Sequence, residues 1–169
     1  MDFDKVFGPI IVEFTVAVAE GYNPTTAIDE FTKTANVPTT AYHFNKNICS
    51  KNWNTTENRP RLGKTYTARM RPLLQQVPFE TCINLLQENE PALFFGTHGL
   101  ALTFEKGAGL FPLGYVLFLD EVKNLWIDGE GKINYPYARH LSDGKFEFGL
   151  GKTEVELDVD DCILYFCEA

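Results

Sequence analysis

Apolar residues at Phe3, Val6, Phe7, Ile10, Ile11, Phe14, Val18 and Ala19 recur every three or four positions. That spacing predicts an amphipathic N-terminal helix, kinked or restarted at Pro9. Gly21-Tyr22-Asn23-Pro24 then punctuates the chain. Asn23 is placed to cap a second helix and Pro24 to occupy its first position, with Ala27, Ile28, Phe31 and Ala35 on one face and Asn36-Val37-Pro38 as its end. A third helix is predicted to start near Pro38, with Ala41, Phe44 and Ile48 on one side and Tyr42 and Cys49 beside them. Residues 50–65 hold few apolar groups and many turn formers and read as a linker. Beyond it, Tyr66 to Gln76 is read as a helix with a break at Pro72. Phe79 to Gln87 is a further helix, with Phe79, Cys82, Ile83 and Leu86 on its apolar face.

From residue 92 the pattern changes to short aromatic and β-branched runs separated by Gly and Asp. Strands are predicted at Ala92–Phe95, Leu100–Phe104, Tyr115–Leu119, Asn124–Ile127, Lys132–Tyr135, Lys145–Phe148, Glu154–Asp158 and Cys162–Phe166. In Lys145-Phe146-Glu147-Phe148 and in Glu154-Val155-Glu156-Leu157-Asp158 the alternation is strict, which puts carboxylates on a wet face. The expected fold is α+β. A helical region spans 1–50, a basic linker 51–65, and an α+β domain 66–169, whose antiparallel sheet or small barrel is supported by helices.

A chain of 169 residues, 44% hydrophobic and 22% charged, excludes collagen, coiled coil and wholesale disorder. The net charge of −8 opposes anionic membranes and bulk nucleic acid. Its distribution qualifies that statement. Between residues 45 and 71, Lys46, Lys51, Arg59, Arg61, Lys64, Arg69 and Arg71 stand against Glu57 alone, while both flanks are acidic. Such a stretch neutralises the protein's own C-terminal carboxylates, meets phosphates, or is an idle solvated surface. Cys49, Cys82, Cys162 and Cys167 are expected as reduced thiols, because a chain of this size buries a core without staples. No basic region precedes the first apolar stretch, which Glu13 and Thr15 interrupt, so a cytoplasmic protein without signal peptide or membrane span is expected. In that compartment Asn54-Thr55-Thr56 is a polar loop instead of a glycosylation site.

Residues 25–46, from Thr25-Thr26-Ala27 through Phe31, Ala35-Asn36-Val37-Pro38-Thr39 and Tyr42 to Lys46, resemble a helix-turn-helix of the terminase small subunit or repressor type. The resemblance implies two helices crossing through a short turn, the second presenting its first residues to base edges. Asn36 stands where the family has glycine, Thr32 where it has alanine, and Asn45 where it has an apolar anchor. The resemblance then implies base contacts from Thr39, Thr40 and His43, phosphate contacts from Lys46, Lys51, Arg59 and Arg61, and a phage or mobile-element origin.

Other chemistry is considered beside it. Cys82, with His98 in Gly96-Thr97-His98-Gly99 and Asp120 or Asp128 as orienter, would make a nucleophilic site, but its apolar neighbours favour an inert buried thiol. Asp128-Gly129-Glu130-Gly131-Lys132 has a calcium-loop outline whose register puts Trp126 and Tyr137 at ligand positions, so it reads as a hairpin turn. The strip Glu154, Glu156 and Asp158, continued by Asp160 and Asp161, is a solvated face or a dock for a basic protein. Lys106 to Gly114 lacks the ending of a phosphate loop, and its Leu110, Phe111 and Leu113 either cap the sheet or form an apolar lip. The resulting expectation is a non-enzymatic binding protein without cofactor. It contacts DNA through its N-terminal region and other proteins, or further copies of itself, through its acidic part. The alternatives are an inhibitor- or immunity-type interaction module without nucleic-acid affinity and, third, a cysteine-dependent enzyme.

Overall fold

A computed structural model describes residues 1–53 and 59–169. The chain is α+β. Its described residues form four α-helices, α1 (Phe3–Val6), α2 (Pro24–Ala35), α3 (Phe79–Asn89) and α4 (Gly96–Gly107). Eight strands, β1 (Val12–Ala17), β2 (Ala41–Phe44), β3 (Thr65–Pro72), β4 (Gly114–Phe118), β5 (Trp126–Ile127), β6 (Ile133–His140), β7 (Phe146–Lys152) and β8 (Cys162–Glu168), make one sheet.

The sheet order is β1-β3-β8-β4-β6-β7-β2, with β5 paired to β6 off that path. It is mixed and open: β2 runs parallel to β7 and β4 parallel to β8, while the other pairs are antiparallel. The sheet is therefore neither the purely antiparallel sheet nor the small barrel expected from the sequence. β1 and β2, from the segment expected to be a helical region, lie at opposite edges of the sheet completed by residues 66–169. A boundary at residues 51–65 therefore does not separate the packing into two parts. The middle of that expected linker, including Asn54-Thr55-Thr56, lies outside the described residues.

Both faces of the sheet are covered, as the alternation along β8 shows. Ile163, Tyr165 and Cys167 enter the cluster with Phe79, Cys82, Ile83 and Leu86 of α3. Cys162, Leu164 and Phe166 enter the other, with Phe31 and Ala35 of α2 and Leu100 and Phe104 of α4. This layering buries the sheet centre on both sides.

Several elements differ from the expected ones, each for a physical reason. β1 was open to a helical reading, yet Val12, Phe14, Val16 and Val18 also alternate, and Pro9 denies the preceding segment a helical donor. α1 therefore stops after one turn, capped by the Asp2 side chain accepting from the Asp4 amide at 3.1 Å. The Tyr66–Gln76 segment is β3, with Tyr66, Ala68 and Met70 on the face of α2 and α4. Leu100–Phe104, expected as a strand, lies within α4. Gly99 lets that helix approach the sheet, since a Cβ there would lie 2.9 Å from the Phe166 ring, and Gly107 does the same against Phe14. The Glu154–Asp158 strand is a turn held by a single bridge between Leu157 and Val77. Buried Leu157 anchors it, so the carboxylates do not share a sheet face.

Ala92–Phe95, expected as a strand, keeps only a single bridge between Leu93 and Phe166, while some other expectations match. α2 has Asn23 accepting from the Thr26 amide at 3.1 Å, Pro24 in its first turn, and Ile28, Phe31 and Ala35 buried. α3 and the alternation of β7 also follow the sequence reading.

Arg71, on β3 one strand in from the sheet edge, joins elements far apart in sequence. Its Nε donates to the Tyr165 hydroxyl at 2.9 Å, its Nη1 to the Gly8 carbonyl at 3.0 Å, and its Nη2 to Glu90 Oε1 at 2.6 Å. Its guanidinium also lies 5.2 Å from the Phe3 ring centroid. Both ion-pair partners are largely withdrawn from water, at 14% and 13% exposure. Arg71→Met strands the Glu90 carboxylate and is expected to cost about 3 kcal/mol in urea unfolding. Arg71→Met combined with Glu90→Leu is expected to recover part of that loss; a double variant no more stable than the single one would show that the carboxylate is not the source of the cost.

Candidate nucleic-acid interface

Strand register places the ends of β1, β2, β4, β7 and β8 and the starts of β3 and β6 toward one end of the sheet. The connection from β2 to β3 leaves and re-enters the sheet at this end. Trp53 meets Trp126 of β5 with ring centroids 6.4 Å apart, and the Arg61 amide donates to the Tyr66 hydroxyl at 3.0 Å.

This connection carries most of the cationic segment. Arg69 pairs with Glu13 at 2.8 Å and Arg71 with Glu90. Lys46, Lys51, Arg59, Arg61 and Lys64 are exposed and form no ion pair among the described residues. Internal neutralisation thus accounts for the two arginines on β3 and not for the five cations before it. Arg59 and Arg61 border a cleft of about 490 Å³ with Tyr66, Phe95 and Glu168.

The third helix expected from Pro38 is absent. Val37 O accepts from both the Thr40 and Ala41 amides, at 2.9 and 2.8 Å, making a turn that does not propagate. The chain continues as β2, which takes the edge of β7, while Phe44 packs 5.9 Å from Phe31 and 5.3 Å from Phe148. Thr39 and Thr40 therefore lie in a turn, and exposed His43 lies on an edge strand. They are not aligned on a recognition helix, because alternating aromatics and a free sheet edge outcompete a helix that Pro38 would have had to open.

A second groove, of about 380 Å³, lies between the turn after β2 and the β5–β6 hairpin. Asn45-Lys46-Asn47-Ile48 is closed by the Ile48 amide on Asn45 O at 3.0 Å and the Asn47 amide on Asn45 Oδ1 at 3.0 Å, which puts exposed Lys46 at its tip. Opposite, Asp128 organises the hairpin: Oδ1 accepts from the Glu130 and Lys132 amides at 2.9 and 3.0 Å. Its Oδ2 accepts from Asn134 Nδ2 at 3.1 Å and Lys152 Nζ at 3.3 Å. The Asn134 bond above all, with the two amides and Lys152, holds the Asp128 carboxyl down at about 2 against a smaller opposing effect of desolvation. Asp128-Gly129-Glu130-Gly131-Lys132 is thus a hairpin turn. Sequence reading found that turn but missed Asn134 and Lys152. They meet because register pairs β6 with β7 at those two residues, a relation with no local signal.

The remaining candidates are dispersed. Cys82 is fully buried in the α3 cluster, and burial pushes its thiol far above the usual range, which removes it as a nucleophile at neutral pH. His98 and Asp120 are buried near the start of α4. All four cysteines are free thiols. Among the described residues no cluster of three or more His, Cys, Asp or Glu is arranged to hold a metal ion, and no helix is long and apolar enough to cross a membrane. Phe111 is buried as a cap while Leu110 and Leu113 are exposed. In the acidic turn, Glu154 pairs with Lys132 at 2.9 Å, Asp158 accepts from Gln76 at 2.9 Å, and Glu156 is exposed. No family model, curated protein or solved structure matches the chain.

Asp161 gives this turn a pH response. Burial first, then the like charges of Asp158 and Asp160, raise its carboxyl to about 6, against the lowering effect of the Asp158 amide bond. A carboxyl raised by folding disfavours the folded state where it is ionised, so that cost is present above about pH 6 and is relieved as pH falls toward the unfolded value. Asp161→Asn keeps an acceptor for the Asp158 amide and removes the charge. It is expected to raise stability at pH 7 by about 1 kcal/mol after solvent screening, with little change at pH 4, in paired thermal melts.

Proposed function

We propose that this is a non-enzymatic binding protein that contacts DNA through its phosphate backbone, using Lys46, Lys51, Arg59 and Arg61. The observation that carries the reading is that these cations stand exposed and without ion pairs among the described residues, on a connection along one end of the sheet. An anionic protein with a locally cationic rim meets a polyanion in one orientation, because the rest of its surface repels it. Thr39, Thr40 and His43, on a turn and an edge strand, are left out of base reading in this proposal, which needs no inserted helix.

Fluorescence anisotropy with a labelled DNA tests it. Affinity is expected to fall roughly a hundredfold between about 50 and 200 mM salt for four phosphate contacts. Replacing Lys46, Lys51, Arg59 and Arg61 together by Gln is expected to abolish binding while leaving the thermal melt unchanged. Salt-independent binding, or full affinity in the fourfold variant, would overturn the proposal.

A second reading rests on a different surface. Val155 and Val159 are 60% and 50% exposed beside Glu156 and Asp158, an apolar-acidic combination suited to a basic protein partner. In that reading, capture of a partner survives the fourfold change but fails when Glu154, Glu156 and Asp158 are neutralised.

A further inference from the structure

The groove between the Asn45–Ile48 turn and the β5–β6 hairpin gathers polar groups beside Trp126, which is half-buried against the α3-side core. Its framework is rigid: Asn134, 1% exposed, donates to Asp128 Oδ2 and to the Lys132 carbonyl at 3.0 Å, and its Oδ1 accepts from Lys152 Nζ at 3.3 Å. Those bonds consume the polar capacity of Asp128 and Asn134 and leave them as support. The other lining groups are different. Trp126 is braced on Trp53. Among the described residues, the carboxylate of Glu130 makes no ion pair and accepts no side-chain or backbone hydrogen bond, and no hydrogen bond uses the side-chain amide nitrogens of Asn45 and Asn47. Lys46, at the tip of the turn between those asparagines, stands outside the groove's lining, is exposed and makes no ion pair among the described residues.

An indole, a carboxylate, spare amide donors and a rim cation match the parts of one nucleotide. A base stacks on an aromatic ring, a carboxylate accepts from an exocyclic amino group, amide N–H groups reach ring acceptors, and the ammonium meets the phosphate. In a duplex one amino N–H stays open in the groove, but both base faces are already stacked on neighbouring bases, so the indole can be used only by an unstacked base of an unpaired strand. We propose that this groove binds one unstacked, amino-bearing base of single-stranded DNA beside Trp126, with Glu130 accepting from its amino group and Lys46 at its phosphate. The inference rests on the DNA-binding reading and narrows it to a single strand with a preference for cytosine over thymine, which has no amino group.

The test titrates the full chain with oligo-dC, oligo-dT and a mixed-sequence duplex of equal length, following anisotropy and tryptophan fluorescence. Oligo-dC is expected to bind about tenfold more tightly than oligo-dT, and both more tightly than duplex, with fluorescence quenched on saturation. Glu130→Ala, at an exposed turn position, is expected to equalise oligo-dC and oligo-dT although it removes a negative charge. Trp126→Leu is expected to weaken both single strands and abolish the quench; if that variant melts early, the Glu130→Ala comparison decides alone. Duplex binding as tight as single strand, or equal oligo-dC and oligo-dT affinities in the unaltered protein, overturns the inference and leaves the backbone-contact reading standing. Absence of salt-dependent binding to all three probes overturns both.

Discussion

The architecture turns on how a largely withdrawn arginine is satisfied on the strand next to one edge of the sheet. β3 lies between β1 and β8, and its Arg71 projects into the layer of α3, where an uncompensated guanidinium would be costly. Three acceptors from separate parts of the chain meet it: the Gly8 carbonyl, the Tyr165 hydroxyl and the Glu90 carboxylate just past α3. Burial opposes the charge most strongly, yet the bonds from Tyr165 and Glu90 overcome it and hold the guanidinium protonated. The N-terminal segment, the end of α3 and strands β3 and β8 are thereby held in one arrangement. From Glu90 the chain bridges Leu93 to Phe166 and enters α4 on the opposite face, so this anchor also sets where the second layer begins.

With both faces covered, polar chemistry is displaced to the sheet ends. One end gathers strand termini, the β5–β6 hairpin and the return of the chain from β2 to β3. Carboxylates there are already engaged where they are structural, as Asp128 is, while the cations of the connection are not. That division separates the arginines that hold the fold, Arg69 and Arg71, from the lysines and arginines proposed to meet DNA, although all seven cations fall within one short stretch of sequence.

The acidic turn shows the opposite economy. Leu157 is its only fully buried side chain, and the carboxylates around it are held by backbone and side-chain donors or left in water. Asp161 bears the cost, being partly buried beside Asp158 and Asp160. Exposed valines within this charge are the feature that packing does not explain.

Local chemistry in the chain was enough to specify α2, α3, the alternation of β7 and the Asp128 hairpin, because a cap, a helical stripe or a tight turn acts within a few residues. It also located the cationic stretch. Long-range pairing settled the remainder. Val12 to Val18 and Tyr66 to Met70 carry spacings compatible with period two, and only neighbouring strands made them β1 and β3. Gly96 to Gly107 carries residues that suit a strand, yet Gly99 and Gly107 gain close approach to Phe166 and Phe14 as parts of a helix. Ala41 to Phe44 left the helix-turn-helix outline because β7 offered an edge. Which cations pair, and which asparagine meets which lysine, depended on register across residues far apart in sequence, and hydrogen bonds between distant strands leave no periodic trace in either one.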